Sequence, residues 1–209
     1  MKLYDMTDAP SPRRVRVFLA EKGIDIEKVQ VDIMNGENLK PEFLAINPRG
    51  VMPTLALDDG SIIDETSAIC RYFEETQPQP ALYGTGAKEK AAVESWIRQV
   101  EGDAFTQAAD VLRNSHPIFE NRSLPGTNDT PQIGELAKRG TDRLNAFYAR
   151  LDQQLADNKF IVGDNYTAAD ITAMCALDFA EFVGVTVPDN LEHIAKWRTK
   201  VSSRPSAQA

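Results

Sequence analysis

Four short stretches of this chain carry residues able to hold or polarise a ligand. Ser11 stands in Ala9-Pro10-Ser11-Pro12-Arg13-Arg14, where a helical apolar pattern begins. Its hydroxyl reads as an N-cap, with Pro12 at the first helical position. A free hydroxyl at a helix N-terminus beside Arg13 and Arg14 would also stabilise a thiolate. In Val51-Met52-Pro53-Thr54 a proline follows a Gly-containing turn. Proline cannot donate to a ladder, so Pro53 belongs at a strand start or edge. A cis Met52–Pro53 bond would go further, freeing the Met52 backbone N–H and C=O to dock an extended peptide as an added strand. Asp64-Glu65-Thr66-Ser67 opens a helix with acidic and hydroxyl residues. Asp64 or Thr66 reads as its cap. The same N-terminus would also suit a ligand carboxylate, with Glu65 gripping an ammonium. Last, Asn114-Ser115-His116-Pro117 puts a lone imidazole in a loop, which reads as a solvated surface residue.

Other chemistries lack their signatures. The chain has no Walker A sequence, no G-x-S-x-G, no H-E-x-x-H, no C-x-x-C and no G-x-G-x-x-G. Its two histidines and two cysteines have no metal-ligand spacing, so no metal is expected. Cys70 and Cys175 lie in apolar, helix-like contexts and read as buried reduced thiols. The formal charge of −8 and pI near 4.9 argue against a nucleic-acid partner. Residues 1–80 hold 9 basic and 14 acidic side chains, so the acidity is not confined to a tail. The first ten residues include Asp5 and Asp8 and no apolar leader core, so no secretory signal is expected. Without one, the N-x-[ST] sequences at Asn121, Asn128 and Asn165 carry no weight. Ile171–Val187 is interrupted by Asp178 and Glu181, which speaks against a membrane span. Cytoplasmic residence is the expectation.

The elements that must position these residues fall into two series. Lys2–Asp5 reads as a strand, followed by a helix carrying Val15, Phe18 and Leu19 and closed by Gly23. Glu27–Asp32 alternates as a second strand, and Glu37–Ile46 reads as a short helix. Pro53–Leu57 and Ser61–Asp64 flank Asp58-Asp59-Gly60 as a hairpin. Ile69, Tyr72 and Phe73 mark the next helix. A βαβ unit, a short helix, a hairpin and a helix imply a mixed four-stranded sheet. Thr76-Gln77-Pro78-Gln79-Pro80 reads as a linker, extending to residue 86. Beyond it every signal is helical. Ala87–Arg113 is one helix weakened by Gly102, and Asn114–Thr130 is a long loop. A second helix opens at Pro131 or Gln132, with Leu144, Phe147, Tyr148, Leu151 and Leu155 on one stripe. A third opens at Thr167, where Thr167 and Asp170 form a capping box and Tyr166 a staple onto Ile171. A fourth begins near Asp189. The 209 residues thus divide into an α/β unit of residues 1–80 and an all-helical unit of residues 87–209. A sheet unit of that size has little core of its own and should dock on the helices, with a ligand cleft between.

Taken together, these stretches resemble the cytosolic glutathione S-transferases. The resemblance rests on Ser11 to Gly23, Lys40-Pro41-Glu42-Phe43-Leu44, Asn47 to Pro53, Asp64 to Tyr72 and the late capping box, and it spans nearly the whole chain. It implies an α/β plus all-α fold: a thioredoxin-like N-terminal domain with a mixed four-stranded sheet, then a helical C-terminal domain. It implies glutathione as co-substrate, activated as thiolate for attack on a small hydrophobic electrophile, and a homodimer. Met52, before a cis Pro53, would bond the cysteinyl backbone of glutathione. Glu65 and Thr66 would hold the γ-glutamyl end. Asn38 and Lys40 fall near the glycine carboxylate. Val51 replaces the polar or basic side chain of many members, and Arg49 or Lys40 would compensate; Arg14 would add positive potential. For the thiol, the resemblance offers Ser11 or, as in a Gtt2-like fungal and bacterial branch, helical-domain residues acting through a water, here Asn114, Ser115 and His116. Tyr4 is a weaker candidate. The alternatives are a non-catalytic glutathione-binding or stress-adaptor protein, or a glutathione-dependent peroxidase.

Overall fold

A computed structural model of the chain describes residues 1–127 and 129–209; the Asn128 sequon lies outside them. Strand β1 (Lys2–Asp5) turns Leu3 and Asp5 inward, as a pleated strand must. Helix α1 (Pro10–Lys22) leads to β2 (Glu27–Gln30), which runs parallel to β1 with Lys2 opposite Glu27. After the short helix α2 (Pro41–Leu44), β3 (Thr54–Ala56) pairs antiparallel with β1, and β4 (Ile62–Asp64) closes the hairpin. The order β2-β1-β3-β4 is the mixed four-stranded sheet expected. Helix α3 (Thr66–Thr76) follows.

Several local expectations shift. Pro10, not Pro12, is the first helical residue of α1, and Ala9 is the N-cap. Ser11 therefore sits inside the first turn and caps nothing. Proline needs no N–H partner at that position and its φ is already helical. Gly23 closes α1 in the left-handed conformation, as read. The Glu37–Ile46 segment splits into a 3-10 turn (Glu37–Leu39) and α2, because Pro41 forces Lys40 into extended backbone. Neither Asp64 nor Thr66 caps α3. Glu65 occupies that position at φ +70, and no side chain bonds the free amides.

The helical series begins with α4 (Ala87–Val100), passes through one π turn (Glu101–Phe105) and continues as α5 (Thr106–Ser115). The predicted single helix is thus continuous but changes pitch at Gly102, whose carbonyl accepts from Gln107 Nε2 at 2.8 Å. Helix α6 (Gly134–Ala156) opens at Gly134 rather than at Pro131 or Gln132. The Ile133 N–H just before it donates to Asn114 Oδ1 at 3.0 Å. Helix α7 (Ala168–Phe182) is buried along most of its length, and α8 (Glu192–Ser202) begins after Leu191. One continuous apolar core runs from Leu3, Val15 and Phe18 through Ile97 to Leu177, so the sheet unit does shelter on the helices. No helix among the described residues is long and apolar enough to cross a membrane.

The capping box at the head of α7 is built as read and reaches further. Asp170 Oδ2 accepts from the Thr167 N–H and hydroxyl, and Oδ1 from the Ile161 N–H and Trp197 Nε1, at 2.9 to 3.1 Å. Tyr166 meets Phe160 edge-on, ring centroids 5.6 Å apart, and lies under Arg204. Asp170→Ala would leave four buried donors without an acceptor. It should lower the unfolding free energy by at least about 3 kcal/mol in urea titration; a loss below about 1 kcal/mol would contradict this role.

Candidate functional site

A cleft of about 610 Å³ separates the sheet unit from the helices. On its N-terminal side lie Pro10, Ser11 and Pro12, Asn38, and Gly50 to Met52. In the first turn of α1, Pro10 and Pro12 have no N–H, which leaves the Ser11 amide as the free donor beside its own hydroxyl. The Ser11 hydroxyl makes no hydrogen bond among the described residues; the Ser11 carbonyl accepts from Thr66 Oγ1 at 3.3 Å. The Met52–Pro53 bond is cis, the bolder of its two readings. The N–H and C=O of Met52 find no protein partner among the described residues. Asn38 is 5% exposed; its Nδ2 donates to the Gly50 carbonyl at 2.7 Å, and its Oδ1 has no partner.

Other expected residues stand apart. Arg14 is buried away from the cleft, donating to Glu101 at 2.5 Å and to Thr172 Oγ1 at 3.3 Å, with its guanidinium over Phe105. Its charge is paired with Glu101, and it is no direct ligand in the cleft. Arg13 reaches the cleft but is held by Asp178 at 2.6 Å and the Ala207 carbonyl. Lys40 lies in a separate shallow hollow with Glu37 and Phe43. Arg49 pairs with Asp64 and Glu65, at 2.7 Å each, and does not line the cleft beside Val51. Glu65 and Thr66 adjoin the cleft through Arg49 and Ser11 rather than lining it. Tyr4 packs edge-on against Phe43.

The opposite wall is helical. Phe105, Ala109, Leu112 and Arg113 of the π turn and α5 face the cleft, followed by His116, Ile118 and Phe119. His116 is brought together with Ser11 and Met52, whereas Asn114 and Ser115 are not. Asn114 is buried and spends its amide on the Asp110 carbonyl and the Ile133 N–H. Ser115 donates back to the Val111 carbonyl at 2.6 Å. His116 Nδ1 accepts from the Ile118 N–H at 3.2 Å, so the neutral ring carries its proton on Nε2. Helix α7, legible in the sequence as a helix but not as part of the site, adds Cys175, Asp178, Phe179 and Phe182 to the wall. Their i, i+3, i+4, i+7 spacing was the available signal; Phe182 is 77% exposed at the rim.

A strap from the helical domain closes one end. Arg122 donates to the carbonyls of Ile33 and Met34 at 2.7 and 3.3 Å. Gly126, at φ +74, rests on the Arg49 carbonyl so closely that a Cβ would collide with it. Burial pushes the Cys175 thiol up to about 11 and Cys70 up to about 12, so neither is a nucleophile.

A four-stranded thioredoxin-like sheet backed by a helical domain, with a cleft where the two parts meet, defines the class of fold. The comparisons narrow it. A family model described as Glutathione S-transferase, N-terminal domain, matches residues 9–76, and one described as Glutathione S-transferase, C-terminal domain, matches residues 115–205. Glutathione S-transferase 2 of Saccharomyces cerevisiae is 30% identical over all of this chain and 88% of its own length. The crystal structure of Gtt2 from Saccharomyces cerevisiae superposes with a TM-score of 0.92 at 30% identity, covering 100% of this chain and 99% of that one. A glutathione S-transferase domain-containing protein of Marinobacter aquaeolei superposes with a TM-score of 0.90 at 35% identity, covering 99% of both. The chain belongs to the glutathione S-transferase family.

Native protein at about pH 8 should leave both cysteines unlabelled by a thiol reagent and release both after unfolding in urea; rapid labelling of the native state would show an open thiol. Gly126→Ala should cost about 1–3 kcal/mol in stability through strained φ and collision. A thermal melt identical to wild type would mean the strap does not rest on Arg49.

Proposed function

We propose that the protein is a glutathione transferase. Glutathione lies along the N-terminal wall, is ionised at its thiol, and attacks a small electrophile held against the helical wall. The observation that carries this is the meeting, in one cleft, of the unbonded Met52 backbone with the free N–H and hydroxyl of Ser11. An extended tripeptide pairs with Met52 as an added strand. Its sulfur then falls at the first turn of α1, where both Ser11 donors favour thiolate over thiol. Each unit of pKa depression requires about 1.4 kcal/mol of such preference. The thiol proton passes to solvent and the thiolate pair forms the carbon–sulfur bond; in substitution the leaving group departs with the broken bond's pair, and in addition the π pair moves to the neighbouring atom, which takes a proton from solvent.

Around this step the supporting roles are unequal. Glu65 and Thr66 take the γ-glutamyl end; the exposed Arg49–Glu65 pair exchanges readily with a ligand ammonium. Asn38 offers an acceptor, which suits an amide N–H of the glycine end better than its carboxylate. Lys40 lies outside the cleft and has no part in the site, and Arg14 and Arg49 are not direct ligands. His116, with Nε2–H free, assists across the cleft through water, while Asn114 and Ser115 brace its loop. Cytoplasmic residence and a homodimer belong to the same proposal and rest on the family resemblance.

The test is ultraviolet titration of the thiolate in the glutathione complex, with Ser11→Ala and His116→Ala beside wild type. The bound thiol should titrate at least about one unit below free glutathione. Ser11→Ala should lower kcat/KM by about 10²-fold, as for loss of one preorganised donor, and His116→Ala by less. A bound thiol pKa equal to that of free glutathione would sink the mechanism. Unchanged kcat/KM in Ser11→Ala would move the role to His116. Retention on immobilised glutathione without turnover of any electrophile would favour the non-catalytic binder.

A further inference from the structure

The helical wall of the cleft holds a cation without a counter-charge. Elsewhere, buried and half-buried guanidiniums meet carboxylates: Arg13 with Asp178, Arg14 with Glu101, Arg16 with Asp5, Arg204 with Glu21. Arg113 and Arg122 meet none among the described residues. Arg113 Nη1 donates to the Arg122 carbonyl at 2.9 Å. Its guanidinium stacks 4.7 Å from the Phe119 centroid, with that of Arg122 6.0 Å from the same ring. The His116 ring meets Phe119 edge-on at 6.4 Å. The Nε and Nη2 donors of Arg113 make no protein hydrogen bond among the described residues, and neither is sealed from solvent. Burial, with the neighbouring charge of Arg122, pushes Arg113 down to about 10. A desolvated guanidinium beside a like charge is relieved by an anion.

We propose that Arg113 binds a carboxylate carried by the electrophilic substrate, so that the enzyme selects electrophiles with an acidic group on an apolar body. This rests on the transferase reading of the same cleft. The carboxylate accepts from Nε and Nη2 of Arg113 as a side-on fork, with His116 Nε2–H beside it. The apolar body lies against Leu112 and Phe119. The acidic balance of the chain does not oppose this, because neither Arg113 nor Arg122 meets a carboxylate among the described residues.

The test compares 4-chloro-3-nitrobenzoate with its methyl ester. In both, the glutathione thiolate bonds to the ring carbon and chloride leaves with its electron pair; each rate is divided by the uncatalysed rate. Wild type should favour the acid, and Arg113→Met should lower kcat/KM for the acid by about tenfold or more, several-fold beyond any loss on the ester. Arg113→Lys should restore part of the preference, because it keeps the charge but not the fork. A second arm measures binding by calorimetry, without chemistry. Protein saturated with S-methylglutathione is titrated with 4-methyl-3-nitrobenzoate or its methyl ester, and Arg113→Met should weaken the acid alone, again by about tenfold. Equal losses for acid and ester, or no loss, would overturn the proposal. A rise in the KM for glutathione with both electrophiles would also overturn it, assigning Arg113 to the carboxylate of glutathione itself. If wild type turns over neither electrophile while the calorimetric difference holds, the transferase reading fails and the carboxylate subsite stands.

Discussion

Helix α1 carries three cations into the interior and a fourth, Arg13, half-buried at the cleft, and the rest of the molecule is arranged around neutralising them. Arg16 meets Asp5 of β1, Lys22 meets Glu74 of α3, Arg14 meets Glu101 of the π turn, and Arg13 meets Asp178 of α7. Each partner comes from a different element. Such pairs are no great source of net stability, but losing one partner of a fully buried pair costs about 3–5 kcal/mol. The four pairs therefore fix which elements touch α1 and in what orientation. They dock the sheet unit on the helical unit and hold the first turn of α1 at the cleft. They also use up the positive charge that Arg13 and Arg14 seemed to offer beside Ser11. What remains there for an anion is dipolar: one amide, one hydroxyl and the helix axis.

The π turn shows how the same constraint shapes the opposite wall. Glu101 receives Arg14, Arg98 and the Ser67 hydroxyl, while Asp103, two residues on, receives Arg143 and Arg150 from α6. Two residues apart on a helix, Glu101 and Asp103 point to nearly opposite faces, one toward α1 and the other toward α6. Directly after it, Phe105 and α5 face the cleft. Polar docking and apolar lining thus follow one another directly along the same stretch of helix.

What the sequence made legible was local. Asp58-Asp59-Gly60 between apolar runs, Gly23 at a helix end, and Thr167 three residues before Asp170 each specify geometry within a few residues. The two-unit architecture followed from a change of periodicity. The charge pairs were not legible, because Arg14 and Glu101 lie 87 residues apart and Arg13 and Asp178 lie 165 apart. Only packing brings them together. The same holds at the site. Met52, Asn38, Ser11 and His116 are legible in the sequence and do line the cleft, whereas the acidic neighbours that engage Arg49 become partners only once β4 and α3 are folded beside it. The π turn was visible only as a weak helix former, since a one-residue change of phase leaves the apolar pattern nearly intact.

The strap has a consequence for how the cleft can change over generations. Arg122 grips residues 33 and 34 by their carbonyls, not by their side chains. Every amino acid offers the same carbonyl, so the latch is indifferent to the identity of the residues it holds. Ile33 and Met34 nonetheless line the cleft. The chain can therefore replace both, and with them the shape and polarity presented to a ligand, while the closure that shelters the ligand stays as it is. Anchoring and selectivity sit on the same two residues but on different atoms, which lets one be inherited while the other drifts.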